Sequence, residues 1–129
     1  MKQALESPRV AKTKGPYVQG VAVTGGKLIY TSGVVARNAQ GKIVGKGDIR
    51  KQTRQSLKNI ENIIRAGGGS LGDLIKVTVF LRDLRDYAGM NEVRREVLAK
   101  VAFASSTVQA QLNAADALIE IEAVACVGQ

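Results

Sequence analysis

The sequence predicts an α+β fold in which two helices cover one face of a mixed β-sheet. Short runs rich in Val, Ile, Thr and Phe, which are typical of strands, are separated by two longer segments of helical periodicity. The final segment, 117–127, alternates between two sides, and Glu120 and Glu122 share one of them. The length of 129 residues fits a single domain, 1–129, with one core.

The N-terminal third is expected to contain an arm and two strands. Residues 1–10 are polar and are interrupted by Pro8, so we expect 1–15 to form a loose arm that ends at the Gly15-Pro16 turn. The segments 17–23 and 27–35 are rich in β-forming residues. Gly25-Gly26 between them is short enough to close a hairpin.

Two helices and three strands are expected in the rest of the chain. Asp48 is suited to cap a helix that runs to about Ala66, because Ser, Thr, Asp and Asn accept hydrogen bonds at that position. The three glycines that follow provide the stop. The remaining expected elements are a strand at 75–81, a helix from Leu84 or Tyr87 to Lys100, a strand at 105–112 and the strand at 117–127. The order is therefore ββαβαββ.

The composition excludes several classes of site. The chain has no His and a single Cys, Cys126, so it lacks Ser-His-Asp triads, His-ligated metal sites and intrachain disulfides. Acid–base chemistry must come from carboxylates, Tyr, Lys, Cys126 or water. The N-terminus lacks the apolar core of a signal peptide, and no apolar run approaches the ~20 residues of a membrane span. We therefore expect a cytoplasmic protein whose thiol is reduced.

The net charge of +8 permits nucleic-acid binding but does not identify a partner. The basic residues contain no run of five, and only five aromatic residues are present to stack on bases. The pattern favours a solvated basic surface, and no nucleic-acid or membrane partner is expected.

The order and spacing of six segments resemble the Rid (reactive intermediate deaminase) family, also called the YjgF family. These segments are GPYVQG at 15–20, YTSG at 30–33, QTRQSL at 52–57, KVTVFLRDL at 76–84, MNEV at 90–93 and IEIEA at 119–123. The resemblance implies a chorismate-mutase-like fold of the bacillus type, assembled as a homotrimer with ligand clefts between subunits. It also implies hydrolysis of reactive imines and enamines to 2-keto acids and ammonia, without a metal or organic cofactor.

The resemblance assigns roles to individual residues. Tyr17 matches the tyrosine that helps to wall the cleft, and Ser32 and Gly33 match the strand end that faces the ligand. Asn91 matches the asparagine at the start of the second helix, which the family places in the cleft, so it is a ligand-binding candidate. Glu120 matches the glutamate that positions the attacking water, so it is the expected catalytic residue.

Position 105 departs from the family's pattern. Deaminating members have an arginine there that binds the substrate carboxylate, whereas this chain has Ser105, and Thr107 stands where many members have a cysteine. Both are kept as ligand-binding candidates. Arginine forms two charge-assisted hydrogen bonds to a carboxylate, whereas serine offers one neutral donor, a difference of more than roughly tenfold in affinity.

Another cation could replace the missing arginine. Arg94, Arg95 and Lys100 lie close in sequence to Asn91 and Ser105, and Arg94 lies one helical turn after Asn91. The alternative is that all three are solvated charges on a helix surface.

Other candidates also have structural alternatives. Glu120 and Glu122 lie about 6–7 Å apart along one strand face, as an acid–base pair would, but a solvent-facing or trimer-facing strand could also hold them. Tyr17 could pack on the sheet, and Asn91 could be a residue that only forms hydrogen bonds at the start of the helix. The Ser32-Gly33 pair could form a bulge. Cys126 is expected to be a small buried hydrophobic residue rather than a nucleophile.

Three functions are therefore considered. The first is a divergent 2-iminobutanoate/2-iminopropanoate deaminase that hydrolyses reactive imines. The second is a regulatory or small-molecule-binding trimer without catalysis. The third is an RNA-binding or endoribonuclease-like protein.

Overall fold

The computed structural model describes all 129 residues. The first two strands, β1 (Lys2–Leu5) and β2 (Gly20–Val23), form a separate antiparallel two-stranded sheet. The expectation of a loose arm over 1–15 is therefore wrong for its first residues. The Lys2 ammonium group holds β1 against the body of the protein, because Nζ donates to the carbonyl oxygen of Leu74 at 2.7 Å. A four-residue, mostly exposed strand has no apolar pattern by which the sequence could reveal it.

The expected hairpin across Gly25-Gly26 does not form. Both glycines have positive φ angles, 70° and 85°, as the two central residues of a tight hairpin turn do. However, β2 pairs with β1, while β3 (Lys27–Tyr30) pairs with the last strand, β6 (Ile119–Val127). The turn was correctly located, but the flanking backbone groups are satisfied by strands distant in sequence.

The main sheet has four strands in the order β3-β6-β4-β5. Strand β4 (Leu74–Leu81), one of the two central strands, is antiparallel to β6 and parallel to β5 (Ala104–Gln109). The sheet is therefore mixed, as predicted, and the parallel pair requires the crossover that the second helix provides.

Both predicted helices are present. Helix α1 (Ile49–Ala66) begins where Asp48 accepts a hydrogen bond from the backbone N–H of Lys51 at 3.1 Å, and it ends at Gly67. Helix α2 (Tyr87–Val97) is shorter than expected, because Leu98 already leaves the helical conformation. The core between the helices and the sheet includes Leu57, Ile60, Ile64, Val77, Val79, Leu81, Met90, Val93, Ile119 and Ile121.

The strand expected over 27–35 is interrupted. After Tyr30, the Thr31 N–H donates to the Ala123 carbonyl, and the next ladder bond joins the Val34 N–H to the Ile121 carbonyl. Three residue steps on one strand thus face two on the other, which defines a β-bulge.

None of the helices is long and apolar enough to cross a bilayer.

Candidate functional site

The sheet register divides the predicted site residues between two faces. Ser105 lies opposite Val77, whose side chain points into the core beneath the helices. Glu120 lies opposite Phe80, and successive residues of a strand point to opposite faces. Ser105 therefore lies on the helix-covered face of the sheet and Glu120 on the helix-free face.

A helix-side group forms around Arg94, and it comprises Tyr17, Asn91, Arg94, Phe103 and Ser105. Arg94 is 1% exposed. Its Nε and Nη2 donate to Asn91 Oδ1 at 3.1 and 2.8 Å, and its Nη1 donates to Ser105 Oγ at 2.8 Å. The alternative of a solvated helix surface is therefore wrong for Arg94, which hydrogen-bonds to two of the predicted ligand-binding residues, Asn91 and Ser105.

Aromatic rings complete the surroundings of this guanidinium group. The Cζ atom of Arg94 lies 5.5 Å from the centroid of the Tyr17 ring and 5.7 Å from that of Phe103, within the range of cation–π attraction. Burial lowers the pKa of Arg94, and the neighbouring Tyr87 and Tyr17 oppose that shift. Arginine nevertheless stays protonated at any physiological pH.

The positive charge of Arg94 has no anionic partner. All six ion pairs of the chain involve other residues. Arg95 and Lys100, the other two candidate cations, are exposed to solvent. Only Arg94 therefore combines burial, contact with Ser105 and an unneutralised charge.

A bulge group forms on the other side of the sheet, and it comprises Ser32, Gly33 and Glu120. A Cβ atom on Gly33 would overlap the Glu120 carboxylate, so this side chain lies directly against the glycine backbone. The Glu120 carboxylate is partly exposed, and it makes neither an ion pair nor a hydrogen bond within the chain. The absence of a side chain at Gly33 therefore leaves the space that the Glu120 carboxylate occupies.

The bulge also leaves backbone donors free. The N–H groups of Ser32 and Gly33 make no hydrogen bond within the chain, and both residues are exposed. Free N–H groups beside an unpaired carboxylate offer a polar ligand both donors and an acceptor. The bulge predicted as a structural alternative is present, and it brings Gly33 against Glu120.

The remaining candidates lie outside these groups. Thr107 is half-buried on β5, opposite Val79, and it makes no side-chain hydrogen bond. Glu122 is exposed on the same face as Glu120. Cys126 is fully buried, as expected of a small hydrophobic residue. No three Cys, Asp or Glu side chains are grouped so as to hold a metal ion.

Sequence reasoning missed Phe103, which is fully buried beside Arg94. The sequence signal was its position two residues before Ser105, because side chains two residues apart in an extended segment lie on the same side.

Comparison with known proteins places the chain in a family. A family model described as Endoribonuclease L-PSP matches residues 8–127. The chain belongs to the Rid family. A RutC family protein from Pyrococcus horikoshii is 41% identical over 97% of this chain and 98% of that protein. The putative reactive intermediate deaminase TdcF of Escherichia coli K12 is 40% identical over 97% of each chain. A 2-iminobutanoate/2-iminopropanoate deaminase of Dermatophagoides farinae is 30% identical over 95% of this chain and 94% of that protein.

Solved Rid structures share this fold. YyfB, a Rid protein of unknown function from Yersinia pestis, superposes with a TM-score of 0.86 at 25% identity, covering 98% of both chains. E. coli TdcF with bound serine superposes with a TM-score of 0.73 at 38% identity, covering 98% of this chain and 99% of that one. The chain therefore has the α+β, chorismate-mutase-like fold of the Rid family, as predicted.

Proposed function

We propose that this Rid protein hydrolyses reactive imines to keto compounds and ammonia, with Glu120 as the catalytic residue. The observation that carries this proposal is the bulge group, where an unpaired carboxylate lies against Gly33 beside two free N–H groups. Relatives named as reactive intermediate deaminase and 2-iminobutanoate/2-iminopropanoate deaminase support it.

The chemistry requires one base that later acts as an acid. The Glu120 carboxylate accepts a proton from water while the water oxygen forms a bond to the imine carbon. That proton is then returned to nitrogen, which gives a neutral carbinolamine. The carboxylate next takes the proton of the carbinolamine hydroxyl group and passes it to the nitrogen as the C–N bond breaks, so that ammonia leaves and the C=O bond forms. One imine and one water thus give one keto compound and one ammonia, with no cofactor consumed.

The site needs more than one copy of the chain under this proposal. The helix-side group and the bulge group lie on opposite faces of one sheet. A homotrimer, which the family resemblance implies, would bring the bulge group of one subunit to the helix-side group of its neighbour. Exposed apolar side chains on the helix-free face, namely Leu28, Tyr30 and Val108, support such an assembly.

The proposal is tested with Glu120→Gln, which keeps the shape of the side chain and removes its basicity. We expect hydrolysis of freshly generated 2-aminoacrylate and 2-iminobutanoate to fall by roughly a hundredfold or more. Glu122→Gln is the matched control, since that carboxylate lies two residues further along the same strand and is expected to keep near-native turnover. Equal turnover by Glu120→Gln and the native protein would refute the catalytic role.

Ligand binding without turnover is the second candidate, because Ser105 stands in place of an arginine. It predicts saturable thermal stabilisation by a small molecule that is recovered unchanged. An RNA ligand has less support, because Arg50 and Arg54 on α1 are already paired with glutamates of α2. RNA binding would show affinity that falls steeply with salt.

A further inference from the structure

Arg94 is a buried charge whose counter-charge is missing. Buried arginines are normally paired with carboxylates, because removing a charge from water is costly. Here the partners are one amide oxygen, one hydroxyl oxygen and two aromatic rings, all of them uncharged. The positive charge of Arg94 is therefore not neutralised within the chain, and it can attract an anion.

Ser105 connects this charge to a more accessible position. Its Oγ accepts a hydrogen bond from Arg94 Nη1 at 2.8 Å, and Ser105 itself is half-buried. A hydroxyl that accepts from a guanidinium keeps its own hydrogen for another acceptor. Hydrogen bonds in a chain also polarise one another, so the O–H of Ser105 becomes a stronger donor.

We propose that Ser105 and Arg94 together bind the carboxylate of the substrate, with Ser105 donating the hydrogen bond and Arg94 supplying the positive charge immediately behind it. Arg94 is then a positioning residue for that carboxylate. This inference rests on the proposed function for the identity of the reaction, but it makes a separate claim about binding.

Asn91 has a defined part in this arrangement. Its Oδ1 accepts from both Nε and Nη2 and therefore fixes the plane of the guanidinium, so that Nη1 meets Ser105. The asparagine acts on the ligand through Arg94, whereas the resemblance assigned it to the cleft directly.

The test compares binding of 2-oxobutanoate with that of the uncharged 2-oxobutanamide, measured by calorimetry on the full chain. We expect the native protein to prefer the carboxylate and Arg94→Gln to lose that preference by roughly tenfold or more. Amide binding should fall much less than carboxylate binding, because the amide loses only the polarisation of the Ser105 O–H and no charge–charge attraction. A merely structural role of Arg94 would weaken both ligands equally. Arg95→Gln is the matched control, because it removes the same charge from an exposed neighbouring position.

Two further variants test the proposal, and the first of them keeps it falsifiable if Arg94→Gln fails to fold. Ser105→Ala removes the donor and leaves Arg94 in place, and we expect it to reduce the carboxylate preference several-fold. The double variant Arg94→Gln/Ser105→Arg returns a cation to the strand and should restore the preference. An unchanged preference in Ser105→Ala, or no preference for the carboxylate in the native protein, would overturn the proposal.

The binding readout is independent of turnover. Carboxylate preference that depends on Arg94, without imine hydrolysis, would leave this inference standing and refute the proposed function. Imine hydrolysis that is indifferent to Arg94→Gln would do the reverse.

Discussion

Gly33 illustrates how one missing side chain can shape a site. The residue lies in the bulge between β3 and the Val34 bridge, and a Cβ atom added there would overlap the Glu120 carboxylate. Its backbone is not in the left-handed region, so an alanine there is acceptable conformationally. The requirement for glycine therefore comes from Glu120 alone.

Gly33→Ala is expected to displace the Glu120 carboxylate. Imine turnover should then fall by roughly tenfold or more, because the general base is no longer correctly positioned. Stability should change little, because the bulge is exposed. Turnover and the urea midpoint measure the two effects. Gly20→Ala is the control, because its added methyl group would make ordinary contacts with Leu5. Native turnover in Gly33→Ala would show that the carboxylate position is unimportant.

The elements show which local signals are sufficient. Helix α1 begins at a capping aspartate and ends at glycine, as predicted, and its apolar stripe faces the sheet. Helix α2 also begins after an aspartate, Asp86, but that side chain accepts no capping hydrogen bond. The same residue type at the same position thus makes a different contribution in the two helices.

Asp48→Ala is expected to lower the free energy of unfolding by about 1 kcal/mol, because it removes an N-cap hydrogen bond. Asp86→Ala should cost only a few tenths, since only its interaction with the helix dipole is lost. Urea denaturation of both variants provides the comparison. Equal losses in the two variants would contradict the assignment of the cap.

The helix-free face of the sheet matters at the scale of the whole molecule. Tyr30 is 71% exposed there, and Leu28 and Val108 are each about half exposed. The pairs Tyr30–Val124 and Val108–Phe80 place these side chains on one surface with Glu120. An apolar surface of this kind is typical of an association interface.

We expect the native protein to sediment at three times the 13.7 kDa mass of one chain. Tyr30→Asp should shift it towards the monomer, because a carboxylate would be buried in the interface. Imine turnover should fall with it. Leu84→Asp, which changes an exposed apolar residue outside the sheet, should leave the mass unchanged. A native monomer with full activity would refute the assembly.

Much of the fold could be predicted because its signals are local. The cap at Asp48, the glycines after Ala66 and the alternation of 117–127 each depend on neighbouring residues. The first strand was not predictable, because Lys2–Leu5 is short and exposed and is held by Leu74 and the 20–23 segment. Strand pairing likewise depends on partners far away in sequence.

The sequence by itself determined both helices and most of the main sheet, the family and the identity of the candidate site residues, including Arg94 among three candidate cations. Only the tertiary structure decided which of these cations contacts Ser105, because α2 and β5 had to pack before Arg94 could reach it. It also decided on which face of the sheet each candidate group lies, through a register set by hydrogen bonds between distant strands. Burial and long-range pairing are properties of the packed chain, so residue type and spacing alone do not fix them.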